Sequence, residues 1–221
     1  MKKVQKALLV LLRAGLWESR IEDLSCFPMS AGEWKNLYLL SRQQTVTGIV
    51  FQGIQHLPEH FLPVEELLVR WMAETDAIER KNMQMNKALE LLVQWFTESG
   101  VQPVLQKGQG IASLYENPLL RECGDIDFYF DSRQMFEKAF SLIRQCGLRE
   151  KVQADQSVTY AWKGVEVEHH TCLLDLHNPF LQRYAKELEQ QYGYNHMRLE
   201  GGLDVRIPSP VLNLLLQSLH I

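Results

Sequence analysis

Near Gly100 the apolar residues of this 221-residue chain change their period, and that change limits the fold more than any other feature. Before it they recur at helical spacing. Leu67, Trp71, Ile78, Met85, Leu89, Leu92 and Phe96 form one stripe of a long helix over about 63–99, which Gly100 stops. Shorter helices are predicted over 3–14, where Val4, Leu8, Leu11 and Leu12 repeat, over 31–43 behind the cap Ser30, and over 46–56. After Gly100 short strands alternate with helices. Strands are predicted over 101–105, 125–130, 148–153, 157–162 and 165–170, with Lys163-Gly164 as a hairpin turn. Helices are predicted over 109–116, over 132–145 with a cap near Asp131 and a stop at Gly147, and over 179–192. A run of helices followed by a mixed segment predicts an α+β protein: a helical region over 1–100 and an α+β domain over 101–221.

Composition supports a packed core and narrows the function. Apolar residues make up 46% of the chain, enough to exclude disorder as the ground state. A net charge of −4 lacks the basic excess that extended nucleic acid requires, and leaves room only for a local basic pocket around one triphosphate. The five tryptophans are spread over both halves and make no base-stacking pattern. Cys26, Cys123, Cys146 and Cys172 are scattered without a C-x-x-C pair, as expected of reduced thiols in a cytoplasmic protein. The start imitates a signal peptide, but the apolar run from Ala7 to Leu12 is too short before Arg13 for the roughly 7–15 residues of such a segment. No stretch approaches the ~20 apolar residues of a membrane span. At the other end Ser209-Pro210 reads as a cap and first turn for a helix over 211–219 with no stop signal, expected of a truncated chain or a helix packed as a lid.

Three features of the second half carry chemistry. Lys107-Gly108-Gln109-Gly110 lies between a predicted strand and a predicted helix, where glycine lets backbone N–H groups approach an anion. Gly124-Asp125-Ile126-Asp127 opens a strand, so Asp125 and Asp127 share one face while Ile126 and Phe128 take the other. Two carboxylates side by side repel unless a cation lies between them, and a hard oxygen-seeking ion such as Mg2+ is the natural partner. Val165-Glu166-Val167-Glu168-His169-His170 places Glu166, Glu168 and His170 on one face of another strand. A carboxylate there, Glu166 or Glu168, would complete a three-acid metal site. His170 is expected to contact substrate or orient Glu168. His169, His170, Cys172, Asp175 and His177 match no standard zinc spacing.

These residues together resemble the DNA polymerase β-like nucleotidyltransferase superfamily. Lys107-Gly108, Tyr115, Pro118, Arg121, Gly124-Asp125-Ile126-Asp127 and the later Val167-Glu168-His169-His170 are similar to the pattern of a poorly characterised bacterial nucleotidyltransferase family. His169 stands where that family has an aliphatic residue, and Gln109 where the superfamily usually has Gly or Ser. The resemblance implies a mixed sheet with flanking helices and transfer of a nucleoside monophosphate from a nucleoside triphosphate to an acceptor hydroxyl, releasing pyrophosphate. It implies Asp125, Asp127 and Glu168 as catalytic residues and as ligands of Mg2+ or Mn2+. Lys107, Gly108, Gln109 and Arg121 would then bind the nucleotide phosphates, Arg121 alternatively pairing with Glu122 or Glu116. The acceptor, a small molecule or a protein, is not written in the sequence. The competing expectation is a non-catalytic nucleotide-binding or protein-interaction module that keeps the fold.

Overall fold

A computed structural model describes residues 2–174, 176 and 178–219. The chain packs as two compact units, one of Met1–Met83 with Ala112–Cys123, the other of Gln84–Ile111 with Gly124–Ile221. The border therefore falls inside the long helix and around a short excursion, whereas the sequence pattern changes at Gly100.

The first unit holds α1 (Lys3–Trp17), α2 (Ala31–Gln43), α3 (Thr47–Ile54) and the start of α4 (Glu65–Glu98). Ser30 caps α2 as expected: its side chain accepts from the Glu33 N–H while the Glu33 carboxylate accepts from the Ser30 N–H. Helices α1 and α3 touch backbone to backbone, because a Cβ on Gly15 would fall 1.9 Å from the Ile49 carbonyl oxygen. Leu11, Leu37, Ile54, Trp34 and Trp71 fill the core, and the Trp71 indole donates to the Thr47 carbonyl at 3.0 Å. The segment 112–123 is tied to this unit through Asn82, whose amide donates to the carbonyls of Leu119 and Arg121, both at 2.7 Å.

The second unit is built on a seven-stranded mixed sheet in the order β3-β4-β5-β2-β1-β7-β6. The strands are β1 (Val104–Gln106), β2 (Ile126–Tyr129), β3 (Glu150–Val152), β4 (Val158–Trp162), β5 (Val165–His170), β6 (Tyr194–Arg198) and β7 (Asp204–Pro208). The helices α5 (Gly108–Ala112), α6 (Arg133–Gln145), α7 (Pro179–Tyr192) and α8 (Pro210–Leu219) join them. The central pair β2 and β5 runs parallel, with β1 antiparallel to β2 on its other side. Lys163 and Gly164 both take positive φ, the left-handed pair that a two-residue hairpin needs between β4 and β5. On one sheet face Phe128, Phe130 and His169 pack against Phe96 of α4 and Phe136 of α6. On the other, Val104 and Tyr129 meet Ala185 of α7 and Leu212 and Leu216 of α8. This is an α+β fold with a helical first half, as the sequence predicts.

One element was not predicted and one local expectation fails. The hairpin β6–β7 extends the sheet edge where the sequence carries no predicted element. Ser209 precedes α8, but its hydroxyl is buried without a hydrogen-bond partner, so it does not cap the helix.

Candidate active site

Register brings the acidic residues together. Ile126 and Phe128 are fully buried on the aromatic face of β2, which turns Asp127 to the opposite face. Val165, Val167 and His169 bury the matching face of β5 and turn Glu168 and His170 the same way. The parallel pairing sets Asp127 opposite Glu168, and Tyr129 opposite His170. One donor atom each from Asp127, Glu168 and His170 lies within 4.8 Å of the other two. His170 Nε2 stands 2.8 Å from Asp127 Oδ1 and 3.8 Å from Glu168 Oε2. Of the two glutamates on β5, Glu166 is exposed and pairs with Ala161 of β4, so Glu168 is the one in this group.

Glu168 is held from behind. Ser157, 1% exposed and just ahead of β4, donates its hydroxyl to Glu168 Oε1 at 2.5 Å, while its N–H donates to Asp155. The loop–strand junction thus fixes one carboxylate oxygen and leaves Oε2 toward His170. Nothing in the local pattern of Ser157 marks it, because the contact forms only when β4 pairs with β5.

Asp125 sits at the edge of the group, one residue before β2. Burial raises its carboxyl pKa, and the charges of Asp127 and Glu168 raise it further, against the opposing pull of Lys107. The close set of donor atoms contains His170 where the sequence reading expected Asp125. Lys107 takes a left-handed φ of 45° and Gly108 opens α5. A Cβ on Gly108 would lie 3.4 Å from the Asp125 carbonyl oxygen, so the Lys-Gly turn rests on the acidic strand.

The remaining predicted residues divide. Gln109 is 6% exposed and its amide nitrogen reaches Met85 Sδ at 3.7 Å, so its side chain faces the interior and only its backbone is left for a phosphate. Arg121 belongs to the helical unit, where its guanidinium lies 3.2 Å from Cys123 Sγ. Among the zinc candidates, Asp175 and His177 lie outside the described residues, and His169 and His170 face opposite sides of the sheet. Sequence reasoning passed over Gln106 of β1, which pairs with Asp127 of β2, is 2% exposed and has an amide nitrogen without a partner. A buried polar residue in a strand otherwise made of Val104 and Leu105 was the available signal.

Beyond the site, at the C-terminal ends of β2 and β5, a cavity of about 410 Å³ is lined by Tyr129, Phe136, Phe140, Gln156, Thr171 and Lys186. Gln156 and Thr171 each adjoin a site residue in sequence, Ser157 and His170. No helix among the described residues is long and apolar enough to cross a membrane.

Carboxylates on adjacent strands, with an imidazole between them and a Lys-Gly turn opening a helix beside them, suit a divalent cation facing a phosphate. The fold and site define a nucleotidyltransferase-like α+β protein. The chain belongs to the family described as "uncharacterised nucleotidyltransferase", whose model matches residues 30–221. No curated protein and no solved structure matches the chain.

Proposed function

We propose that this protein transfers a nucleoside monophosphate from a nucleoside triphosphate to an acceptor hydroxyl, with release of pyrophosphate. The observation that carries the reading is the Asp127–Glu168 pair on adjacent parallel strands, with Asp125 two residues back and near enough for both charges to raise its pKa, in a chain of a nucleotidyltransferase family. The two carboxylates fit a divalent ion such as Mg2+ or Mn2+, which Asp127 and Glu168 would hold with Asp125 at the edge. Such an ion, when bound, lowers the pKa of the acceptor hydroxyl and offsets the triphosphate charge.

In the step itself the acceptor oxygen forms a bond to the α-phosphorus, the bond from that phosphorus to the bridging oxygen breaks, and pyrophosphate leaves with the electron pair. The hydroxyl proton passes to the Glu168 carboxylate, which Ser157 orients. Lys107 meets the β and γ phosphates as a point charge, and the backbone at Gly108 and Gln109 offers N–H donors to them. The cavity beyond Tyr129 and Thr171 is the space from which an acceptor reaches the site.

The test compares the wild-type chain with Asp127→Asn, an isosteric change that removes one negative charge. Pyrophosphate release from each of the four nucleoside triphosphates is followed with Mg2+ or Mn2+, in a lysate that supplies acceptors. The expected loss in the variant exceeds ~100-fold, since even supporting groups around a metal cost 10–100-fold. Equal signals from the two proteins, with no nucleotide-dependent rise in melting temperature upon adding either ion, would return the chain to the non-catalytic reading.

A further inference from the structure

From the donor set we infer that His170 is a direct ligand of the ion, and that the site therefore prefers a first-row transition ion, Mn2+ in the first place, over Mg2+. The inference rests on the proposal that Asp127 and Glu168 hold the ion, and adds which atom joins them and which ion follows.

Three observations lead there. His170 Nε2 is within hydrogen-bond distance of Asp127 Oδ1 at 2.8 Å and lies 3.8 Å from Glu168 Oε2. Donors that share one ion at roughly 2.0–2.2 Å stand about 3–4.4 Å apart, so a movement of a few tenths of an ångström completes the arrangement. Next, the geometry is imposed by the fold: His169 is locked in the aromatic face, which turns His170 to the face that carries Asp127, and Ser157 fixes one oxygen of Glu168. Finally, Gln106 of β1, paired directly with Asp127 of β2 and almost wholly buried, brings an amide nitrogen without a partner, a donor suited to an outer water or to the second oxygen of Asp127.

Chemistry then selects the ion. Two carboxylates balance the charge of a dication, and a neutral imidazole contributes the third ligand. Mg2+ demands oxygen and gives up its water reluctantly, so a nitrogen ligand suits it poorly. Imidazole nitrogen binds the borderline first-row ions well, and the carboxylate-rich remainder, with phosphate oxygens to come, favours an octahedral ion such as Mn2+ over tetrahedral zinc.

Mn2+ binding to the full chain, without nucleotide, is read by electron paramagnetic resonance, and the ligand nitrogen by pulsed measurements of its coupling to the bound ion. One site with a 14N coupling is expected, converted to a 15N coupling in protein grown on 15N-histidine. His170→Gln should abolish the coupling and weaken Mn2+ by at least ~10-fold, while Mg2+ should displace Mn2+ only in about 10-fold excess or more. The labelling arm uses the unaltered chain, so a variant that fails to fold does not decide the matter. Bound Mn2+ without a histidine nitrogen, a coupling that survives His170→Gln, Mg2+ competing at parity, or no bound Mn2+ would each overturn the inference. A histidine-bound Mn2+ in a protein that releases no pyrophosphate would instead sustain it while refuting the transfer reaction.

Discussion

On one face of the β2–β5 pair, Ile126, Phe128, Val165, Val167 and His169 are buried, with Phe128 and His169 against Phe96 and His169 also against Phe136. On the other, Asp127, Glu168 and His170 stand within reach of one another and of a cation. His169 and His170 are consecutive, yet the pleat gives them opposite tasks. His169 is fully buried, its Nε2 2.9 Å from the Tyr160 hydroxyl, and burial depresses its pKa to about 3. There it serves as an aromatic core residue. His170 keeps 18% of its side chain exposed and faces carboxylates. Strand alternation, rather than residue type, decides whether an imidazole is packing or chemistry, and the rigid face is what aims the reactive one.

Removing the rigid face is the strongest way to break this contrast. Phe128→Ala should cost about 3–5 kcal/mol of unfolding free energy, the usual price of emptying a large buried aromatic site. Denaturant titration measures it, and a loss below ~1 kcal/mol would mean that the aromatic face is not a close-packed support.

Acid sharpens the contrast further. His169 has a folded pKa of about 3 against about 6.5 for a free imidazole, so the unfolded chain takes up a proton that the folded chain refuses. Stability should therefore fall as pH drops from about 6.5 toward 3, by up to ~1.4 kcal/mol per pH unit from this residue. In the double variant His169→Leu/Tyr160→Phe, which leaves no hydroxyl orphaned, that part of the slope should disappear. Melting curves between pH 7 and 4 decide it, and unchanged slopes would show that His169 is not held neutral.

The smallest effect belongs to the acidic face. Burial and the neighbouring carboxylates raise the Asp125 pKa above its ordinary 3.8. A raised carboxyl pKa lends stability below pH 3.8 that is lost as pH rises through the folded value, so at neutral pH the charged form is a burden. Without divalent ion, Asp125→Asn should raise the melting temperature by about 1–2 °C, the shift expected of ~0.5 kcal/mol in a chain of this size. The gain should vanish below about pH 3.8, where the wild-type carboxyl is neutral in both states. A variant that melts lower at neutral pH would place Asp125 in a favourable ion pair instead.

Local pattern was enough for much of this protein. Helices over 31–43 and 179–192 and the strand over 165–170 were legible to the residue, because capping, helical stripes and two-residue alternation are encoded within a few neighbours. Strands β6 and β7 were not legible: edge strand β6, Tyr194-Asn195-His196-Met197-Arg198, has no buried side to compel an apolar period, and in β7, between β1 and β6, the alternation is only the short pair Val205 and Ile207. Tertiary structure alone decided the rest. Register between β2 and β5, some forty residues apart, chose Glu168 over Glu166 and set His170 against Asp127. Pairing of β4 with β5 recruited Ser157, and packing against Met85 turned the Gln109 side chain inward. The physical reason is common to all of these: a side chain's direction is local, but its partner comes from a distant strand whose position is fixed by burying Phe128, Val167 and His169 together.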